Sequence, residues 1–127
     1  MKNLILGFFI ACVCSCISLS RGEKETLQEL KSYGIQGGES ECKTPAVAGL
    51  LNILPGGGNF YLAYGTDEAG QWTVGFLNLL TWPYSVVWGI PQAAIDANTI
   101  NKKETIYYYK FDSEGKNALE MLKAKNK

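Results

Sequence analysis

Hydropathy divides the chain into alternating blocks. Residues 1–20 are mainly apolar, 21–43 are polar, Thr44–Ile95 is apolar and 96–127 is polar again. In the first polar block, Leu27, Leu30 and Tyr33 recur at helical spacing with Glu25 and Glu29 on another face. That pattern predicts a short helix over 25–33. Such a helix is too short to stand alone in water. Gly34 and the run Gln36-Gly37-Gly38-Glu39-Ser40 end it in a linker. Residues 16–43 therefore read as a polar tether carrying one short helix.

The apolar block, taken as 44–96, predicts a helical hairpin. Its first limb begins at Pro45, and Ala46–Leu54 would be about 14 Å long as helix, short of the roughly 30 Å of bilayer hydrocarbon. It crosses only by continuing through Pro55-Gly56-Gly57-Gly58-Asn59 into Phe60-Tyr61-Leu62-Ala63-Tyr64; otherwise it dips in and returns. Backbone broken at that depth must be packed on protein or wetted, so the glycines are expected to face the second limb. That limb, Trp72–Ile95, would reach about 36 Å as one helix, with Pro83 kinking it and Pro91 bending or ending it. Asn52, Asn59 and Asn78 are costly against lipid and are expected between the limbs. Tyr61, Tyr64 and Trp72 gather at the turn, as an interfacial aromatic belt would, and Trp88 falls towards the other end.

The tail, 97–127, is charged. Residues 98–109 carry the second helix onward or turn to strand at Ile106-Tyr107-Tyr108-Tyr109. Asp112-Ser113-Glu114 starts a last helix with Ala118, Leu119 and Leu122 as its apolar stripe, and Lys123, Lys125 and Lys127 suit its C-terminal dipole. The expected fold class is an all-α membrane protein: a broken two-helix transmembrane or re-entrant hairpin with short charged helical flanks.

Charge sharpens this picture. The 127-residue chain has twelve basic and twelve acidic residues and no His. Thr44–Ile95 contains no Lys or Arg, and only Asp67 and Glu68 are charged. There is room for one small domain, and no basic field to favour nucleic acid. Residues 1–15 read as a bacterial lipoprotein-type signal peptide, with Lys2 as the n-region and Leu4–Ala11 as a short h-region. Cys12, Cys14 and Cys16 follow. Cys16 fits lipidation best, with Val13 three residues before it and Ser15 immediately before; Cys12 is second, and an uncleaved anchor or an ordinary signal is the other reading. A thiolate is the nucleophile that accepts a diacylglyceryl group, and two or three acyl chains (palmitate-like) anchor stably where one does not. Cys42 would then be a free or intermolecular thiol.

The hairpin resembles the TM2 domain family. The resemblance lies in Ala48-Gly49-Leu50-Leu51, then Pro55-Gly56-Gly57-Gly58-Asn59-Phe60-Tyr61-Leu62, the polar turn Thr66-Asp67-Glu68-Ala69-Gly70, and a second limb from Trp72 to Asp96. Ala63 stands where the family often has Gly, and the turn lacks the basic residue commonly found there. The resemblance implies a two-helix membrane module of mostly undefined biochemical function, and brings no catalytic residues.

Candidate chemistry is sparse. The Gly run lacks the Lys-Ser/Thr and the preceding strand of a P-loop. Asp67 and Glu68 point apart and read as a solvated turn. With no His, Ser15, Ser18 and Ser20 cannot belong to a Ser-His-Asp triad. The Tyr107–Tyr109 run reads as interface contact or packing rather than a binding strip. Asp96 ends an apolar run and is expected to cap the next segment, face a polar cleft or pair with Lys102 or Lys103. Neither metal, cofactor nor catalytic centre is expected.

The functional expectation is a small, non-catalytic lipoprotein anchored in a bacterial envelope membrane, inner or outer. Its partners would be the lipid bilayer and an envelope protein or a second copy. The alternative is an accessory subunit of a transporter or envelope complex with an uncleaved N-terminal helix. A two-span hairpin behind a lipidated N-terminus would put both Lys-bearing flanks outside, against the positive-inside rule. An uncleaved first helix, a hairpin dipping into one leaflet, or an orientation set by the export signal would each remove that conflict.

Overall fold

The computed structural model describes residues 17–38 and 42–126. The signal segment with Cys12, Cys14 and Cys16, and residues Glu39, Ser40, Glu41 and Lys127, lie outside the described residues. Among the described residues there are six helices and no strand: α1 (Arg21–Ser32), α2 (Pro45–Leu51), α3 (Gly57–Ala63), α4 (Gly70–Leu80), α5 (Ser85–Phe111) and α6 (Ser113–Lys125). The all-α class therefore holds. None of these helices is long and apolar enough to cross a membrane.

The chain divides into two compact units. One comprises Ile17 with Lys43–Ala97, the other Ser18–Cys42 with Asn98–Lys127. In the second, α1 lays Leu27 and Leu30 against Ile35 and Ile106, with Leu19, Tyr109, Leu119 and Leu122 around them. The helix expected over 25–33 starts four residues earlier. Ser20 accepts from the Glu23 N–H while the Glu23 carboxylate accepts from the Ser20 N–H at 2.6 Å, a reciprocal capping box. Gly34, at φ 88°, stops the helix in the left-handed conformation that favours glycine. The Lys123 ammonium sits 3.0 Å from the Glu29 carboxylate and over the Tyr33 ring, tying α6 to α1 at the surface. Residues 106–109 are helical, not strand, because Ile106 and Tyr109 lie on the one helical face that meets this core.

In the first unit, the limb expected over Trp72–Ile95 is not one helix. It breaks at Thr81–Tyr84, around a cis Trp82–Pro83 peptide, into α4 and α5. Pro83 therefore separates two helices where a kink was expected. Pro91, expected to bend or end the helix, lies inside α5, which continues to Phe111. The first limb likewise breaks into α2 and α3, with Asn52–Gly56 as the turn. The hairpin is thus three short helices followed by the first part of the long α5.

The capping box gives α1 a pH dependence. The Ser20 backbone N–H holds the Glu23 carboxyl below its ordinary value of 4.5. Its contribution is complete above that value and is lost as the pH falls through the lower folded value. Thermal melts of the full chain at pH 6 and pH 3.5 should show Glu23→Gln flattening the acid loss by up to about 1 kcal/mol, the worth of one cap. An unchanged slope would mean that the box carries no weight.

Candidate functional site

The first unit is inverted relative to a soluble domain. Its largest fully buried side chains are mostly polar: Asn52, Asn59, Gln71, Asn78, Ser85 and Asp96, with Leu62 the apolar exception. Its remaining buried apolar residues are small or medium, namely Ala48, Ala63, Val74, Ala93 and Ala97. Leu54, Leu80 and Val87, by contrast, are 70, 78 and 80% exposed, and Leu50, Ile53, Phe76, Trp82 and Tyr84 are exposed with them.

The buried polar groups form one connected network. Asn59 is its hub. Its Oδ1 accepts from the Nδ2 groups of Asn52 (3.1 Å) and Asn78 (2.8 Å), while its own Nδ2 donates to Gln71 Oε1 at 2.7 Å. Gln71 Nε2 donates onward to Asp96 Oδ2 at 2.9 Å. Asn52 also donates to the Gly89 carbonyl and accepts from the Gly58 N–H. The Trp88 indole donates to Asn78 Oδ1, and Ser85 donates to the Asn78 carbonyl. No buried side-chain nitrogen or oxygen among the described residues lacks a partner. A seven-residue helix cannot persist alone. Here Asn52 at the end of α2, Asn59 of α3, and Gln71 and Asn78 of α4 bond across the segments, so the network fixes their register.

Glycine allows the close approach that these bonds need. Gly56, at φ 80°, packs directly on the Gly75 carbonyl of α4, and Gly58 packs on the Ala48 carbonyl of α2; a Cβ at either would collide with backbone. Of the expected break residues, Gly56 faces the second limb, whereas Gly57 and Gly58 face Leu51 and Ala48 of the first. Phe60 fills the space beside Gly75 and packs tilted against Trp72 and edge-on against Phe76, at ring-centroid distances of 5.6 and 5.4 Å. Pro55 is half-buried in the turn. Tyr61 lies beneath the Lys43 ammonium, 4.6 Å from its ring centroid.

Charge gathers at one end of this unit. Lys43 donates to the carbonyls of Tyr61 and Tyr64 at the end of α3, where a cation suits the exposed carbonyls. Asp67 and Glu68 lie in the turn between α3 and α4, and Asp96 meets Gln71 in the first turn of α4. The chain also enters this end at Lys43 and leaves it near Asp96. Both opposite turns, Asn52–Gly56 and Thr81–Tyr84, are free of charge.

Asn52, Asn59, Asn78 and Asp96 were singled out by the sequence; Gln71 was not, because its place beside the acidic turn reads as surface. The signal that could have found it is its seven-residue spacing from Asn78, two turns along one helical face. Asp96 is buried, bonded to Gln71 and to the Ile17 N–H. Cys42, in the other unit, is an exposed thiol with its sulfur 3.6 Å from Asn101 Oδ1.

The arrangement defines a class: an all-α module with a satisfied polar interior and an apolar exterior. No family model matches the chain, and no curated protein or solved structure does.

Proposed function

We propose that residues 43–97 are a re-entrant, TM2-like anchor that dips into one leaflet of a bacterial envelope membrane. In this reading the protein is a small, non-catalytic lipoprotein holding its charged unit at the surface for an envelope partner. The observation that carries it is the inverted burial: amides inside, large apolar side chains outside. Contiguous exposed apolar surface marks a membrane or protein contact, and polar groups in lipid must be satisfied internally. α4 is 11 residues long, about 16 Å and close to half of the roughly 30 Å hydrocarbon core. The charged end would stay in the headgroups while the uncharged turns point to the bilayer centre. No segment then crosses the bilayer, so the positive-inside rule, which orients spanning helices, no longer opposes Lys-bearing flanks outside.

The lipid is the second anchor. The Cys16 thiolate would attack the glycerol carbon of a phospholipid. A C–S thioether bond forms, the C–O bond to the phosphate headgroup breaks, and the thiol proton passes to solvent. Two acyl chains and the hairpin together satisfy the two-signal requirement for stable anchoring.

Side-selective labelling of single cysteines in a Cys42→Ser background tests the topology. Asp67→Cys and Met121→Cys should react with a membrane-impermeant maleimide from the same side, and Leu54→Cys should be protected from both. Labelling of positions 67 and 121 from opposite sides would establish a two-span hairpin and end the one-leaflet reading.

A further inference from the structure

We infer that the Thr81–Tyr84 turn pairs with the same turn of a second copy inside the membrane, an inference that rests on the one-leaflet reading above. Two aromatic side chains stand out from this turn: Trp82 is 61% and Tyr84 74% exposed. Their neighbours spend their polar groups within the unit. The Thr81 hydroxyl donates to the Leu77 carbonyl at 2.8 Å, the Ser85 hydroxyl to the Asn78 carbonyl at 2.6 Å, and the Trp88 indole to Asn78 Oδ1 at 3.1 Å. Among the described residues, by contrast, the Trp82 indole N–H, backbone N–H and carbonyl and the Tyr84 hydroxyl have no hydrogen-bond partner.

In water such groups need no partner from protein; at the uncharged end of a hairpin that enters hydrocarbon, they do. Trp and Tyr belong at the membrane–water interface, and irregular backbone at bilayer depth is tolerated only where protein or water covers it. The 11 residues of α4 hold this turn about 16 Å from the charged end, farther than either side chain reaches back. The turn carries what a copy of itself needs. An indole N–H only donates, whereas the phenol oxygen two residues on also accepts. In a two-fold pair the Trp82 N–H of one copy meets the Tyr84 hydroxyl of the other, and symmetry repeats the bond. The Trp82 carbonyl is an acceptor for the hydroxyl proton. Copies inserted from one side hold their turns at one depth, so a two-fold axis along the bilayer normal brings turn to turn.

The test is sedimentation equilibrium of the full chain, purified from a bacterial host, at rising ratios of mild detergent to protein. A reversible dimer is expected. Trp82→Phe removes the indole N–H and Tyr84→Phe the hydroxyl, each keeping an aromatic ring. Each variant loses both symmetric bonds, so each should weaken dimerisation about tenfold, the worth of two interhelical hydrogen bonds in a membrane. The double variant should be no weaker than either single one, because the same two bonds are lost. Effects that multiply, to about a hundredfold in the double variant, would mean independent contacts and overturn the bonded pair. A monomeric unmutated chain would overturn the pairing outright. So would a one-to-one complex with a different protein, which would give the turn to an envelope partner. Carbonate extraction of the Cys16→Ser chain keeps the two readings apart. Its release from the membrane would overturn the one-leaflet anchor and the pairing with it, whereas retention of a monomeric chain would overturn the pairing alone. The mass of the unmutated chain needs no variant, so a misfolded variant leaves it decisive.

Discussion

Leu80→Asp and Val87→Asp should each release the protein from membranes while leaving its fold intact. Both positions are more than three-quarters exposed, at 78 and 80%. In water, a surface substitution of this kind changes stability by about ±0.5 kcal/mol, so helicity in mild detergent should survive. In hydrocarbon, an aspartate costs roughly 2.5–3.5 kcal/mol, and about 1.4 kcal/mol is a factor of ten in binding. Each substitution should therefore weaken hairpin insertion on the order of 100-fold. The measurement is carbonate extraction combined with Cys16→Ser, so that the lipid does not mask the loss. Both variants staying in the membrane pellet would place these side chains outside lipid and remove the main support for the anchor. Asp67→Asn, at the charged turn, should leave partitioning unchanged.

Asn59→Ala should cost more stability than any other single truncation in this unit. Asn59 serves three partners, and its loss removes three hydrogen bonds at once. Asn52 keeps its bond to the Gly89 carbonyl, whereas Gln71 Oε1 and Asn78 Nδ2 lose the partners that Asn59 provides. Interhelical hydrogen bonds in membranes average about 0.6 kcal/mol, while a buried group left unsatisfied costs about 1–3 kcal/mol. The expected loss is roughly 2–4 kcal/mol, large against the ~5–15 kcal/mol of a typical domain. Denaturant titration in detergent measures it, with exposed Asn98→Ala as the control. A loss below about 1 kcal/mol would show that the small apolar residues, rather than the amides, hold the four segments together.

These substitutions divide what the sequence announces from what it conceals. The block between Lys43 and Asp96, charged only at Asp67 and Glu68, is plain in the sequence. The breaks were only partly legible. Pro55 and three glycines mark the first turn, and Gly56 is needed there for its positive φ and its contact with the Gly75 carbonyl. At Thr81–Tyr84 a lone proline marks the second, and an apolar run through proline reads equally as a kinked helix. Pro91 has the same local signal and does not end its helix. Packing on α2, where Gly49 meets the Ile90 carbonyl, accompanies that continuation.

The sequence alone determined the all-α class, the blocks of apolar and charged residues, and the inward place of Asn52, Asn59 and Asn78. The first two follow from local periodicity and composition, and the third from the proposed membrane setting, in which an amide facing lipid is costly. Only the tertiary structure decided that the hairpin is three short helices and the start of α5, that Gln71 joins Asn59 to Asp96, and that Asp96 reaches Ile17. Each of these depends on which distant backbone comes within about 3 Å of a given side chain. No local pattern encodes a pairing between residues 17 and 96 until the intervening chain has folded back upon itself.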